Sequence, residues 1–88
     1  MAFEGMDIDA VRILATSMDG SAEQITTLMQ RLTQQLQSTD WRGPDRERFL
    51  SNWQGQHVPQ LNNVVNGLRD ASNCARQNAQ DQEAASSR

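Results

Sequence analysis

The stretch Ser38-Thr39-Asp40-Trp41-Arg42-Gly43-Pro44 decides the fold, because it separates two long segments of helical pattern in a chain of 88 residues. Gly43 can adopt a positive φ where a helix must stop and reverse, and Pro44 presets φ for a new first turn. The stretch therefore predicts a two-helix hairpin with its turn over 41–43. A bare turn needs no indole, so Trp41 is interpreted as an anchor that enters a groove, with plain packing inside the hairpin as the alternative.

Apolar residues before the turn recur at steps of three and four, which is the spacing of a helix packed along most of its length. Asp7 is the predicted N-cap, and helix one is expected over about 7–39. The repeat also contains Ser21. Its apolar members are Val11, Leu14, Met18, Ile25, Leu28, Leu32 and Leu36.

The segment after the turn predicts helix two over about 44–80. Pro59 lies inside it, so we expect a kink over 57–60, where proline removes one backbone hydrogen bond. The stripe on this helix also includes His57, and its large apolar members are Phe49, Trp53, Leu61, Val64 and Leu68. Residues 81–88 have no apolar stripe and are expected to form a flexible C-terminal tail.

Composition predicts an all-α hairpin, spanning 1–80, that must share its core. The chain is 36% apolar and 22% charged, with a mean hydropathy of -0.73 and 5% aromatic residues. A lone two-helix hairpin leaves one apolar stripe open to water. Two antiparallel hairpins are therefore expected to pair into a four-helix bundle, and the stripes of both helices are the predicted dimer seam.

Charge and reactive residues argue against several functions. All eight basic residues are Arg and the net charge is -3, which predicts no binding to nucleic acid. His57 and Cys74 are single representatives of their types, so we expect no enzyme, no metal site and no cofactor. No segment predicts stable insertion into a membrane. The N-terminus does not resemble a cleavable signal, so the protein is expected in the cytoplasm before any export.

The central Trp41-x-Gly43, the two flanking stripes and the aromatic pair Phe49 and Trp53 together resemble the WXG family. These are small helical hairpins exported by type VII (ESX) secretion systems of Gram-positive and actinobacterial cells. The resemblance covers nearly the whole chain. The use of Arg without Lys fits a high-GC actinobacterial source.

The resemblance implies a dimer with the same or another WXG-type hairpin, and export in the folded state by a route that needs no signal peptide. It also implies contact with the secretion-system ATPase, with Trp41 and Gly43 in the motif positions. The family's export signal is a Tyr followed four residues later by Asp or Glu, but this chain has no Tyr. Asp81 and Glu83 lie just beyond the matching tail positions, so the signal is either degenerate or missing.

Three functions remain open from the sequence. The first is a secreted substrate or export partner that works as a dimeric binding module. The second is a cytoplasmic chaperone or adaptor for a larger exported effector of the toxin type. The third is an intracellular coiled-coil structural protein.

Overall fold

The chain folds as an antiparallel helical hairpin. The computed structural model describes residues 5–86. Helix α1 spans Ile8–Ser38, helix α2 spans Pro44–Asn52, a single π-helical turn spans Trp53–His57, and helix α3 spans Val58–Ser86. The backbone stays helical from α2 through the π turn into α3, so these three elements form one arm and α1 forms the other. The rod measures 66 × 18 × 15 Å, and the described residues contain no strand.

Helix α1 begins one residue after and ends one residue before the predicted bounds of 7–39. The Asp7 side chain accepts a hydrogen bond from the backbone N–H of Ala10 at 3.0 Å, as an N-cap should. At the other end the hydroxyls of Ser38 and Thr39 both donate to the carbonyl of Gln35. These hydroxyls satisfy one of the carbonyls that the end of a helix leaves without a partner.

A π turn stands directly before Pro59, at the place where the kink was predicted. Proline cannot donate a backbone hydrogen bond, and its ring displaces the carbonyl four residues earlier, which is that of Gly55. The Val58 N–H reaches back five residues to the Trp53 carbonyl, which is the bond of a π-helix. The half-buried stripe therefore steps by five, from Trp53 to Val58, and His57 is exposed. The prediction that His57 lies on the stripe is wrong for this reason.

The two arms contact each other mainly through small side chains. The buried positions recur every seven residues on α1, and they recur at the same spacing on α3. Ala15, Ala22, Ser72 and Ala79 have no exposed surface, which means that the two backbones approach closely. Nearer the turn the buried residues are larger. The buried positions of the two arms are Ala15, Ala22, Met29, Val65, Ser72 and Ala79.

This small-residue contact lies beside the predicted seam rather than on it. None of the twelve residues assigned to the dimer seam is fully buried in the hairpin. Ile25, Leu61 and Leu68 are half-buried against the cluster of Ala22, Met29 and Val65. Others, such as Leu14, are exposed. The predicted stripe thus forms one edge of the contact between the arms and extends from it onto the surface.

Helix α3 continues six residues beyond the predicted end at residue 80, so the prediction of a flexible tail from residue 81 is wrong as far as Ser86. Ala and Gln favour helix even where no apolar stripe is present. Ala79 is fully buried against α1, and Glu83 forms an ion pair with Arg12 of α1. These two contacts hold the last turns on the first arm. Residues 87–88 lie outside the described residues.

The close approach of the arms predicts intolerance to bulk at Ala22. Ala22→Leu should lower the free energy of unfolding by about 1–3 kcal/mol, because the added carbons have no space between the backbones. Ala10→Leu, on an exposed surface of the same helix, is the matched control and should stay within about 0.5 kcal/mol of the parent. Urea denaturation followed by circular dichroism measures both. Equal midpoints for the two variants would contradict this packing.

Candidate interaction surface

Helical geometry divides the surface of the hairpin into two broad faces. Successive residues of a helix point about 100° apart, so the residue before a buried position and the residue after it lie on opposite sides of the contact. Leu14 and Leu28 precede buried positions of α1, and Val64 precedes a buried position of α3. Glu23 follows one. Because the arms are antiparallel, the preceding sides of both helices share one face and the following sides share the other.

The polar face consists of ion pairs that join the two arms. Arg12 donates from both terminal nitrogens to the two carboxylate oxygens of Glu83, at 3.1 and 3.2 Å. Arg76 and Asp19 lie 2.6 Å apart, and the Arg76 guanidinium also donates to the hydroxyl of buried Ser72. A longer pair joins Arg69 to Glu23 at 3.4 Å. The polar face is defined by Arg12, Asp19, Glu23, Arg69, Arg76 and Glu83.

These pairs shift the titration of their members. The Asp19 pKa is lowered by hydrogen bonding first to Arg76 and then to Ser72. The Glu83 pKa is lowered by its hydrogen bonds to Arg12 and by the charge of that guanidinium, which in turn raises the Arg12 pKa. Each pair is open to solvent, so its contribution to stability is small. Its geometric effect is to fix the register of α3 on α1.

The opposite face is apolar and extends over most of the rod. Leu14, Leu28 and Val64 each keep 51% of their surface exposed, and Leu32 keeps 37%. The exposed leucines of α1, together with Val64 of α3 and the half-buried residues between them, form a continuous surface rather than isolated apolar residues. The apolar face is defined by Val11, Leu14, Met18, Ile25, Leu28 and Leu32 of α1 with Leu61, Val64, Leu68, Ala71 and Ala75 of α3.

The turn between the arms has the geometry that its sequence predicts. Gly43 has φ of 114°, a region that residues with a side chain rarely adopt, and Pro44 begins α2. The Trp41 ring lies against that of Phe49, with centroids 5.7 Å apart and planes at 53°. Trp41 nevertheless remains 39% exposed, so the ring contacts Phe49 on one side and solvent on the other.

A groove of about 290 Å³ opens beside the turn, and we call it the tip groove. The Trp53 indole is fixed at its base, because its N–H donates to the Thr33 hydroxyl at 2.8 Å. Phe49 contributes a second aromatic wall and is 45% exposed. Leu32 belongs both to this groove and to the apolar face, so the two surfaces are continuous. The tip groove is lined by Leu32, Gln35, Leu36, Thr39, Phe49 and Trp53.

The two acidic residues proposed as a degenerate export signal have separate surroundings. Asp81 accepts a hydrogen bond from the Gln77 amide one turn earlier, at 3.0 Å. Glu83 belongs to the polar face through Arg12. The structure does not bring either residue to the turn, because α3 ends at the opposite end of the rod. Their role in export stays a prediction.

The described residues carry few groups suited to chemistry. Among residues 5–86 no cluster of three or more His, Cys, Asp or Glu side chains is arranged to hold a metal ion. His57 is exposed on the π turn, with its ring 6.3 Å from that of Trp53, and Cys74 is exposed on α3. None of the helices in this range is long and apolar enough to cross a bilayer.

Sequence reasoning missed the polar face, although a signal for it exists. Arg69, Arg76 and Glu83 recur every seven residues, as do Arg12 and Asp19. Charged residues at the same repeat as the buried positions, but displaced by three or four residues, indicate one flank of an antiparallel helix pair. The search for apolar repeats alone cannot find them.

The lowered pKa values of Asp19 and Glu83 predict a loss of stability in acid. A carboxylate with a lowered folded pKa stabilises the fold above its unfolded pKa, and this contribution disappears as pH falls from about 4 through the folded value. Asp19→Asn should therefore flatten the dependence of the urea midpoint on pH between about 5 and 2. Asn63→Ala, at an exposed neutral side chain on the same arm as Arg76, is the control and should keep the parent's profile. Superimposable profiles for all three proteins would contradict the assignment.

In comparisons with known proteins, no family model, curated protein or solved structure matches the chain.

Proposed function

We propose that this chain is a non-enzymatic helical hairpin of the WXG type, which works as a dimeric binding module and is a substrate or export partner of a type VII (ESX) secretion system. The observation that supports this most directly is the apolar face. It runs along both arms of the hairpin, and its members Leu14, Leu28, Leu32 and Val64 remain exposed. An exposed apolar face of this kind indicates an interface with another protein.

The dimer follows from the size and chemistry of the apolar face. A monomer in water rarely exposes a continuous apolar patch of more than a few hundred Å², whereas a stable interface buries about 800 Å² on each partner. The exposed Leu and Val side chains stand at a/d-type spacing, which suits packing of helix on helix. Two hairpins that cover these faces form a four-helix bundle, with the polar faces outside.

The turn supports the link to secretion. The geometry of Gly43 and Pro44 explains why a Trp-x-Gly sequence connects two helices, but it does not require the indole. The Trp41 ring lies on Phe49 and exposes 39% of its surface at the end of the rod. An aromatic ring with this exposure is suited to recognition by a second protein, and the secretion ATPase is the partner that the resemblance implies.

The absence of Tyr gives the alternative its support. The family signal needs a Tyr on one partner, and this chain has none anywhere in its sequence. A hairpin without the signal can accompany a partner that carries it, or it can act as a chaperone or adaptor for a larger exported effector. The two functions differ in whether this chain itself leaves the cell.

Leu28→Asp tests the dimer without unfolding the hairpin. Leu28 is half exposed in the single hairpin, so a charge there is tolerated by the monomer but must be desolvated in the dimer. We expect the mass in solution to fall from twice to once 9.9 kDa, with helical circular dichroism retained at high concentration. Gln30→Asp, on an exposed surface away from the apolar face, is the matched control and should remain dimeric. A dimeric Leu28→Asp protein would exclude this face as the interface.

Export is tested in cells that carry a type VII system. The chain should appear in the culture medium, and it should disappear from the medium when the ATPase of that system is inactive. Trp41→Ala should reduce export at least about tenfold while it changes the free energy of unfolding by less than about 1.5 kcal/mol, since 39% of the Trp41 surface is already exposed to solvent. Retention of the parent in the cell together with an exported effector would favour the adaptor function.

A further inference from the structure

We propose that a cleft on the polar face binds a phosphate group, and we call it the arginine cleft. It is defined by Arg12 and Thr16 of α1 with Arg76 and Gln80 of α3, and its volume is about 420 Å³. The ligand is a phosphate group that is either free in solution or carried by a phosphorylated side chain of another protein. The inference goes beyond the proposed function and does not rest on the dimer, because the cleft lies on the face opposite the apolar face.

The close approach of the two arms creates the cleft. Thr16 directly follows Ala15, and Gln80 directly follows Ala79. Both alanines are fully buried, which means that the two backbones lie close together at this level of the rod. Side chains from both arms can therefore reach a single small ligand.

Two ion pairs bound the cleft along the rod. Arg12 pairs with Glu83 on the side of the N-terminus of α1, and Arg76 pairs with Asp19 on the side of the turn. Arg12 and Asp19 are seven residues apart, which is about 10 Å of helix. The Nη2 atom of Arg76 lies 3.4 Å from the Thr16 hydroxyl, so this guanidinium extends from its ion pair towards the middle of the cleft. Both arginines thus border the space between the two pairs.

Among the described residues that line the cleft there is no carboxylate, and three of the four carry N–H donors in their side chains. Arg12 donates one N–H from each terminal nitrogen to Glu83, so its Nε–H and its other terminal N–H groups have no partner within residues 5–86. The Nε–H of Arg76 has no partner in this range either. The Gln80 amide adds two more donors. The cleft therefore offers spare donors from both arms to an anion.

A phosphate group suits these donors better than a carboxylate does. A planar carboxylate accepts two parallel hydrogen bonds from one guanidinium, and Glu83 already binds Arg12 in this way. A phosphate group carries about two negative charges and three acceptor oxygens that point in different directions. It can therefore accept hydrogen bonds from two guanidiniums on different arms. The Arg12 and Arg76 side chains are 41% and 42% exposed, so a ligand reaches both from solvent.

The carboxylates of Glu83 and Asp19 compete with the ligand for the two arginines. For inorganic phosphate we expect a dissociation constant of about 1 mM, because the charges are exposed to water and to salt. Removal of a competing carboxylate should strengthen binding, whereas removal of its arginine should weaken binding. Both changes break the same ion pair, so opposite effects on binding cannot arise from the loss of that pair.

A titration with inorganic phosphate tests the cleft directly. The nitrogen-15-labelled chain is titrated at a pH of about 8, where phosphate carries about two charges, with chloride added to keep the ionic strength constant. We expect saturable shifts in the NMR signals of the Nε–H groups of Arg12 and Arg76 and of the backbone N–H groups of Thr16 and Gln80. Shifts that increase without saturation, or that spread evenly over the chain, would overturn the proposal.

A matched pair of variants assigns the binding to the arginines. Arg12→Gln should raise the dissociation constant at least about tenfold, whereas Glu83→Gln should lower it at least about threefold. Each variant loses one exposed ion pair, so both should keep the circular dichroism of the parent. Arg69→Gln removes the same charge from the polar face outside the cleft, and it should stay within about twofold of the parent. Equal changes in the first two variants would contradict binding at this cleft.

Peptides distinguish the two sources of the phosphate group. A short peptide with one phosphothreonine is compared with its unphosphorylated form and with inorganic phosphate. If the phosphopeptide binds at least about tenfold more tightly than inorganic phosphate, the ligand is a phosphorylated protein. Equal dissociation constants for the phosphopeptide and inorganic phosphate would identify the free anion. Equal binding of the unphosphorylated peptide would show that the phosphate group is not recognised and would overturn the proposal.

Discussion

The contact of small residues between α1 and α3 determines the rest of the structure. Ala15 and Ala22 on one arm and Ser72 and Ala79 on the other are fully buried, so the backbones lie close together and leave no space for larger side chains. The large apolar residues of both arms are consequently displaced to one side of the contact. A hairpin closed by leucines would bury its apolar stripe and have little left with which to bind. Away from the turn this hairpin is closed by alanine and serine, and Leu14, Leu28 and Leu32 remain exposed.

The two faces of the hairpin then differ in chemistry. The ion pairs of Arg12 with Glu83 and Arg76 with Asp19 join the arms on the polar face and set their register. They keep the polar face hydrated, and as exposed pairs they add little stability. The core cluster of Ala22, Met29 and Val65 is small for a chain of this length, so a second protein on the apolar face would contribute much of the buried surface. Binding of a second protein is therefore expected to raise the stability of the hairpin.

The sequence predicted the helices and the turn because their signals are local. Asp7 is an N-cap, Gly43 adopts a positive φ and Pro44 starts a helix, and each effect depends on a few neighbouring residues. The consequence of Pro59 was harder to predict, because a proline can give a kink or a π turn. The π turn moved the stripe from His57 to Val58. The end of α3 was misplaced because Ala79 and Glu83 are held by residues of α1 that lie far away in sequence.

The buried face of each helix was predicted less well, for a reason that applies to other hairpins. The search for large apolar residues found the stripe that includes Leu14 and Leu28, which lies beside the contact between the arms. Alanine and serine carry little signal in such a search, although at seven-residue spacing they mark the closest approach of two helices. Surface features that depend on both arms, such as the tip groove, have no local signal at all.

The central claim is that a second hairpin covers the apolar face in solution. The most direct measurement is the mass of the purified chain by light scattering behind size exclusion, at several concentrations and with circular dichroism on the same samples. The account predicts a helical particle of twice 9.9 kDa that dissociates only on dilution. A stable, fully helical monomer at all concentrations would contradict it.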